Sequence, residues 1–180
     1  VGGTLGITSA GAVTDSGTLA VTGAITISAS GQDITLDESA STFGSLLLTG
    51  ANVAVTDAGA VDLGASTVGG TLGITSAGAV TDSGTLAITG ATTISASGQD
   101  ITLDETASTF GTLALTGANV AVTDAGATDL GASTVGGTLG ITSAGAVTDS
   151  GTLAVTGAIT ISASGQDITL DESASTFGSL

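Results

Sequence analysis

The sequence contains no Lys, Arg, His, Cys, Met, Trp, Tyr or Pro. Without cysteine there is no disulfide in any compartment and no thiolate chemistry. Sixteen Asp and Glu side chains stand without a single basic one, giving a formal charge of -16. That balance excludes ordinary phosphate recognition, so no nucleic-acid partner is expected. It also disfavours docking on anionic membranes, and it removes every trypsin site. The longest unbroken run of Leu, Ile, Val and Phe is Leu46–Leu48, far short of the roughly 20 residues a spanning helix needs. A membrane barrel would carry aromatic girdles, yet Phe43, Phe110 and Phe177 are the only aromatic residues. No membrane insertion is therefore expected. The chain shows no initiator Met, signal peptide or anchor, and it breaks off at Leu180, one residue into a predicted strand. It reads as an excerpt of a longer protein whose export signals and caps lie elsewhere.

What is present is repetition. Val1–Thr67 returns as Val68–Thr134, and its first 46 residues return as Val135–Leu180. The first and third copies are identical where they overlap. The first and second differ at six positions: Val21/Ile88, Ile25/Thr92, Ser39/Thr106, Ser45/Thr112, Leu47/Ala114 and Val61/Thr128. A period of this length decides the architecture before any local reading does. It predicts one continuous elongated body over residues 1–180, with sequence repeats 1–67, 68–134 and 135–180. Low complexity and high charge can signal disorder, but 41% of the residues are hydrophobic, mean hydropathy is +0.60 and only 9% are charged.

The apolar residues are also ordered. Pairs two residues apart recur along the repeat: Leu5/Ile7, Leu19/Val21, Ile25/Ile27, Ile34/Leu36, Leu46/Leu48, Val53/Val55 and Val61/Leu63. Residues at that spacing share one face of a strand. Between them lie turn-prone Ser-Ala-Gly, Asp-Ser-Gly, Thr-Gly-Ala and Ala-Ser-Gly-Gln-Asp. No helical periodicity is sustained. The pattern predicts an all-β chain, and the pairs group as laps from Leu5 to Ile25, Ile25 to Val53 and Val53 to Leu72. The predicted fold is a right-handed parallel β-helix, a three-sided β-solenoid with about three coils per 67-residue repeat and about eight coils in all. The long middle lap requires a bulge, placed at Asp37–Gly44. One lap cannot bury its inward residues alone, whereas stacked laps cover each other. A tandem β-sandwich would have longer repeats and aromatic cores. Thr92 and Thr128, at positions counted as inward, fit this scheme less well.

The stretch Leu63-Gly-Ala-Ser-Thr-Val-Gly-Gly-Thr-Leu-Gly-Ile-Thr75, then Gly78–Ala87, Asp100-Ile-Thr-Leu-Asp104, Phe110-Gly and Leu115–Ala125, resembles the repeat arrays of filamentous-haemagglutinin-like proteins. Those are large bacterial surface or secreted adhesins. The resemblance covers the whole chain and implies a parallel β-helix acting as a stalk or filament. It also implies a secreted, cell-surface location and a neighbouring or host cell as partner.

The candidate chemistry is thin. Each full copy has six carboxylates, Asp15, Asp33, Asp37, Glu38, Asp57 and Asp62 in the first. Paired acids serve glycosidases, but here they recur in every copy with no cationic or phenolic partner, so no enzyme and no catalytic residue is expected. Asp33, Asp37 and Glu38 bring oxygen ligands together, which suits calcium, yet the usual Asp-rich calcium spacings are missing. No resident cofactor is expected, and a divalent-cation- or glycan-binding surface module is the alternative function. Outward threonines such as Thr14, Thr26 and Thr35 suggest the Thr-x-Thr ranks of ice binding, set aside because no strand is expected to give two outward threonines in register over successive coils. The outward positions Gly6, Thr26, Ala54, Gly73, Thr93 and Ala121 on one face, and Ala20, Leu47, Ala87 and Ala114 on another, are small and uncharged. Asp62 and Asp129 point out elsewhere. The expectation is a self-associating structural filament, with homotypic contacts made side by side or end to end.

Overall fold

A computed structural model describes residues 1–179; Leu180, read above as the start of a strand, lies outside them. Those residues form 24 short strands and no helix. All the strand pairings are parallel, and the chain winds as a β-solenoid.

Two ladders organise the stack. The first runs Leu5, Ile25, Leu46 and Leu63, then continues from the same strand at Val61 through Val80, Ile101, Val120, Leu139 and Ile159. The second runs Val13, Ile34, Val53, Leu72, Thr92, Leu113 and Leu130, then from Thr128 through Val147 to Ile168. Each has nine rungs, so the chain makes about nine turns. At the inter-strand spacing of about 4.8 Å the rungs span roughly 38 Å. Backbone N–H groups donate from turn to turn, for example Val53 to the Thr71 carbonyl at 2.8 Å and Leu72 to that of Ala91 at 2.9 Å.

The inward parity read from the sequence holds. Ile25, Ile27, Ile34, Leu36, Leu46, Leu48, Val53, Val55, Val61 and Leu63 are all buried in one continuous core. Each such side chain contributes about 1.5–3 kcal/mol on leaving water. The lap assignment needs correction. Ile25 stacks on Leu46, and it is Ile34 that stacks on Val53. There is no 28-residue lap with a bulge. Asp37–Gly44 instead carries the chain round an edge of the stack, and the laps run from 17 residues at Leu46–Leu63 to 22 at Ala20–Thr42.

The repeat therefore does not close on a whole number of turns. Leu5 and Leu139 both lie on the first ladder, seven rungs apart, while their equivalent Leu72 is the fourth rung of the second. Val13 and Val147 lie on the second ladder, and their equivalent Val80 on the first. One repeat is thus three and a half turns, not about three. Moving one copy along the chain exchanges the two ladders, which relates them by a half-turn.

Shorter stacks close the section between the ladders. Val21 stands on Phe43, Val68 on Ile88, and Val135, Val155 and Phe177 follow one another. At one edge backbone meets backbone. Gly70, Gly90 and Gly111 form a column, with Gly90 N–H donating to the Gly70 carbonyl at 2.9 Å. A Cβ on Gly90 would lie 2.6 Å from that oxygen.

Both threonines that strained the sequence reading are inward and buried. Thr128 Oγ1 donates to Asp124 Oδ2 at 3.2 Å and lies within hydrogen-bond distance of Ser143 Oγ at 3.0 Å. Thr92 Oγ1 has no partner. A buried hydroxyl without a partner costs about 1–3 kcal/mol. Its first-copy equivalent, Ile25, fits the same environment fully buried. Thr92→Ile is accordingly expected to stabilise the chain by about 1–3 kcal/mol, read as a higher denaturation midpoint at unchanged slope. An unchanged or lower midpoint would refute the account.

Candidate functional site

The polar groups gather at the edges, and three devices tie one turn to the next. In the first, Asp33 Oδ1 accepts from Asn52 N–H at 3.1 Å and from Asn52 Nδ2 at 3.0 Å. Asn52 Oδ1 in turn accepts from Thr71 N–H at 3.0 Å. Asp100, Asn119 and Thr138 repeat the relay at matching distances. One carboxylate and one amide thus tie three successive turns together.

In the second, the buried Asp57 accepts from Phe43 N–H at 3.1 Å and Gly59 N–H at 2.7 Å. Its neighbours Ser41 and Ser76 accept from Leu19 N–H and donate to the Gly59 carbonyl, respectively. Asp124 is its equivalent, accepting from Gly126 N–H at 2.8 Å. In the third, Asp82 accepts from Asp104 and Glu105 N–H, and Asp149 from Asp171 and Glu172 N–H, holding the Asp-Glu turn against the turn below. Burial pushes the Asp57, Asp82 and Asp124 carboxyls above the ordinary range, although the donated N–H bonds pull the other way. Each loses more hydration than its hydrogen bonds restore.

These arrangements are structural in geometry. Asp33, Asp37 and Glu38, read as possible calcium ligands, do not converge. Asp33 is engaged with Asn52, while Asp37 gives its N–H to Asp15 Oδ1 at 3.2 Å. Among the described residues no three acidic side chains are placed to hold a metal ion.

The outer faces differ from the sequence reading in a way that follows from the corrected laps. Gly6, Thr26 and Ala121 stand on the first ladder's face, but Ala54, Gly73 and Thr93 stand on the second's. Leu47 joins the first and Ala114 the second, leaving Ala20 and Ala87 on the short stacks. Single outward threonines do fall in register. Thr14 pairs with Thr35, Thr81 with Thr102, and Thr148 with Thr169. A longer column runs Thr56, Thr75, Ser95, Thr116 and Thr134. These are single columns, and the chain has no Thr-x-Thr pair to set two of them side by side for ice binding. Gly, Ala and Asp still interrupt the neighbouring columns, and thermal hysteresis is the measurement that decides it.

A family model described as repeats of unknown function (DUF5649) matches residues 1–49, 50–116 and 117–180. The chain belongs to that family. The middle match of the DUF5649 repeats spans the same 67-residue period as the sequence copies, entered at a different point. No curated protein matches the chain, and no solved structure does. The sequence pattern missed the half-turn alternation of the DUF5649 units, the Asp-Asn-Thr relay and the glycine column. The fixed 19-residue separations of Asp33, Asn52 and Thr71, matching the length of one lap, were the signal available.

Proposed function

We propose that the chain is a structural, non-catalytic segment of an extracellular filament or adhesin stalk. In this reading it is secreted by a bacterium, coils right-handed as parallel β crossovers do, and resembles filamentous-haemagglutinin-like repeats in role. The observation that supports it is the pair of unbroken nine-rung ladders, whose rungs come from every copy. A stack of this kind lengthens with each repeat while every turn contacts only its neighbours. It bears load through backbone hydrogen bonds and aliphatic columns, and its lack of Lys and Arg leaves trypsin nothing to cut.

Labelling intact cells of the producing strain with antibody to this segment, before and after trypsin, tests the reading. Surface signal that survives trypsin is expected; signal only after permeabilisation overturns it. Calcium tests the alternative of a cation-binding surface. Thermal unfolding with calcium and with a chelator is expected to give the same midpoint, since Asp33 is already engaged with Asn52. A chelator-sensitive midpoint would favour the cation-binding reading.

A further inference from the structure

Identical residues meet different surroundings at the two places where they occur. Residues 135–179 repeat residues 1–45, so the last turn of the stack, Ile159 to Phe177, has the sequence of Ile25 to Phe43. In the first copy that turn is covered by the segment that follows it. Ile27 and Ser28 pair with Leu48 and Thr49, and Ile34 and Leu36 with Val53 and Val55. Ala29 and Ile34 N–H donate to the Thr49 and Asn52 carbonyls at 2.8 and 2.9 Å, and Ala51 N–H donates to the Gln32 carbonyl at 2.7 Å. Asp33 Oδ1 accepts from Asn52, and Asp57 accepts from Phe43 N–H. In the last turn the same residues lie open. Ile168 is 48% exposed where Ile34 is 0%. Leu170 and Phe177 are only partly buried, whereas Leu36 and Phe43 belong to the core. Asp167, the equivalent of Asp33, is exposed. The strand Ile168–Thr169 pairs with Val147–Thr148 beneath it, and among the described residues nothing pairs with it from above.

We infer that this edge is a binding site for an extended polypeptide strand, and that the occupant it selects is the segment Leu47–Thr67 of a second copy of the chain, before that copy has folded. The same surface, with the same donors, acceptors and apolar sockets, already holds that segment in the first copy. Open strand edges pair with added strands. Backbone bonds supply the affinity, and alternate side chains supply the selectivity. Selectivity here has three parts, each transferred from the covered turn. Val53 and Val55 stand on Ile168 and Leu170, Asn52 reaches the Asp167 carboxylate, and Asp57 takes the Phe177 N–H. A folded chain holds its own Leu47–Thr67 inside its stack, so capture acts on an unfolded copy. The folded edge is then the template on which that copy forms its first turn. Capture follows from the pairing of turns, wherever the filament is displayed.

Fluorescence anisotropy of a labelled Leu47–Thr67 peptide, titrated with the folded 180-residue chain, reads the outcome. Saturable binding of a single peptide per chain is expected, and no binding overturns the site. A peptide of the same composition in scrambled order is expected not to bind; equal binding by it overturns the selection of this segment. Appending the sequence Leu47–Thr67 after Leu180 covers the edge within one chain and is expected to abolish capture. Unchanged binding by that extended chain would place the peptide elsewhere and refute the assignment. Asn52→Ala in the peptide and Asp167→Ala in the chain are each expected to weaken capture about tenfold, and together little more than either alone. Fully additive losses would refute the contact between Asn52 and Asp167. Asp167 is exposed, and circular dichroism checks that its variant folds.

Discussion

Replacing Gly111 with valine is expected to split the stack at its sixth turn. The column Gly70, Gly90, Gly111 packs backbone on backbone. A Cβ at Gly111 would overlap the Gly90 carbonyl oxygen and lie 2.7 Å from the Thr89 oxygen and 2.9 Å from the Gly90 carbonyl carbon. None of these is the end of a flexible side chain, so relief requires the two turns to move apart. Moving apart breaks the parallel pairing of Thr92–Ser95 with Leu113–Thr116 on the adjoining face. Overpacking against rigid neighbours costs about 1–3 kcal/mol and more when backbone must shift; with the lost pairing, about 3–5 kcal/mol is expected. Because each turn contacts only its neighbours, the damage is local. Amide hydrogen exchange is expected to accelerate between residues 89 and 116 and to stay slow in the first two turns. Gly73→Ala is the control. A Cβ there meets nothing closer than the Val53 oxygen at 3.8 Å, and glycine in a strand carries an entropic cost relative to alanine. That variant is expected to be neutral or slightly stabilising. Equal loss in both variants would show that the column is not a close-packed seam.

The contrast between these glycines shows where the sequence is informative. Alternation states which way a side chain faces, and it did so correctly from Leu5/Ile7 to Val61/Leu63, because a wrong parity would put aliphatic groups in water. It says nothing about which strand lies beneath. Ile25 has two aliphatic candidates one lap on, Leu46 and Val53, and both offer the same inward pair. The choice between them is made by how much chain the edge at Asp37–Gly44 consumes, which is a matter of turn geometry. Taking Val53 produced three laps per repeat, and from that followed the mixed list of outward residues. With Leu46 as the partner, both change together. The buried polar edges were illegible for a related reason. Asp57 and Asp124 look in sequence like the other turn acids, and only the stack reveals that they face inward and accept the N–H groups of Phe43 and Phe110.

Those inward acids set the second large effect. The chain is expected to become more stable as pH falls from 7 towards about 4, the reverse of ordinary acid denaturation. In the usual case carboxylates are better stabilised as ions in the fold, and protonating them weakens it. Here Asp57, Asp82 and Asp124 have folded-state pKa values raised above the unfolded value, chiefly by burial. A raised acid binds its proton more tightly in the fold than in the open chain. Its contribution is therefore fully present below the unfolded pKa, near 4, and is lost as pH rises through the folded value. Repulsion acts in the same direction. A formal charge of -16 with no basic side chain strains the compact state more than the open one, and partial protonation relieves it. At this chain length each 1 kcal/mol moves the unfolding temperature by about 2–4 °C, so a rise of several degrees is expected between pH 7 and pH 4.5 at low salt. Added salt is expected to raise the pH 7 value and shrink the difference by screening exposed charge, leaving the part owed to the buried groups. Asp57→Asn with Asp124→Asn isolates that part. Asparagine keeps an acceptor for only one of the two N–H groups that Asp57 receives, so some stability is lost at every pH. What remains should depend less on pH than in the parent chain. A parent whose unfolding temperature falls on acidification, or a double variant with an undiminished pH slope, would mean that these carboxyls are better stabilised as ions than their burial implies.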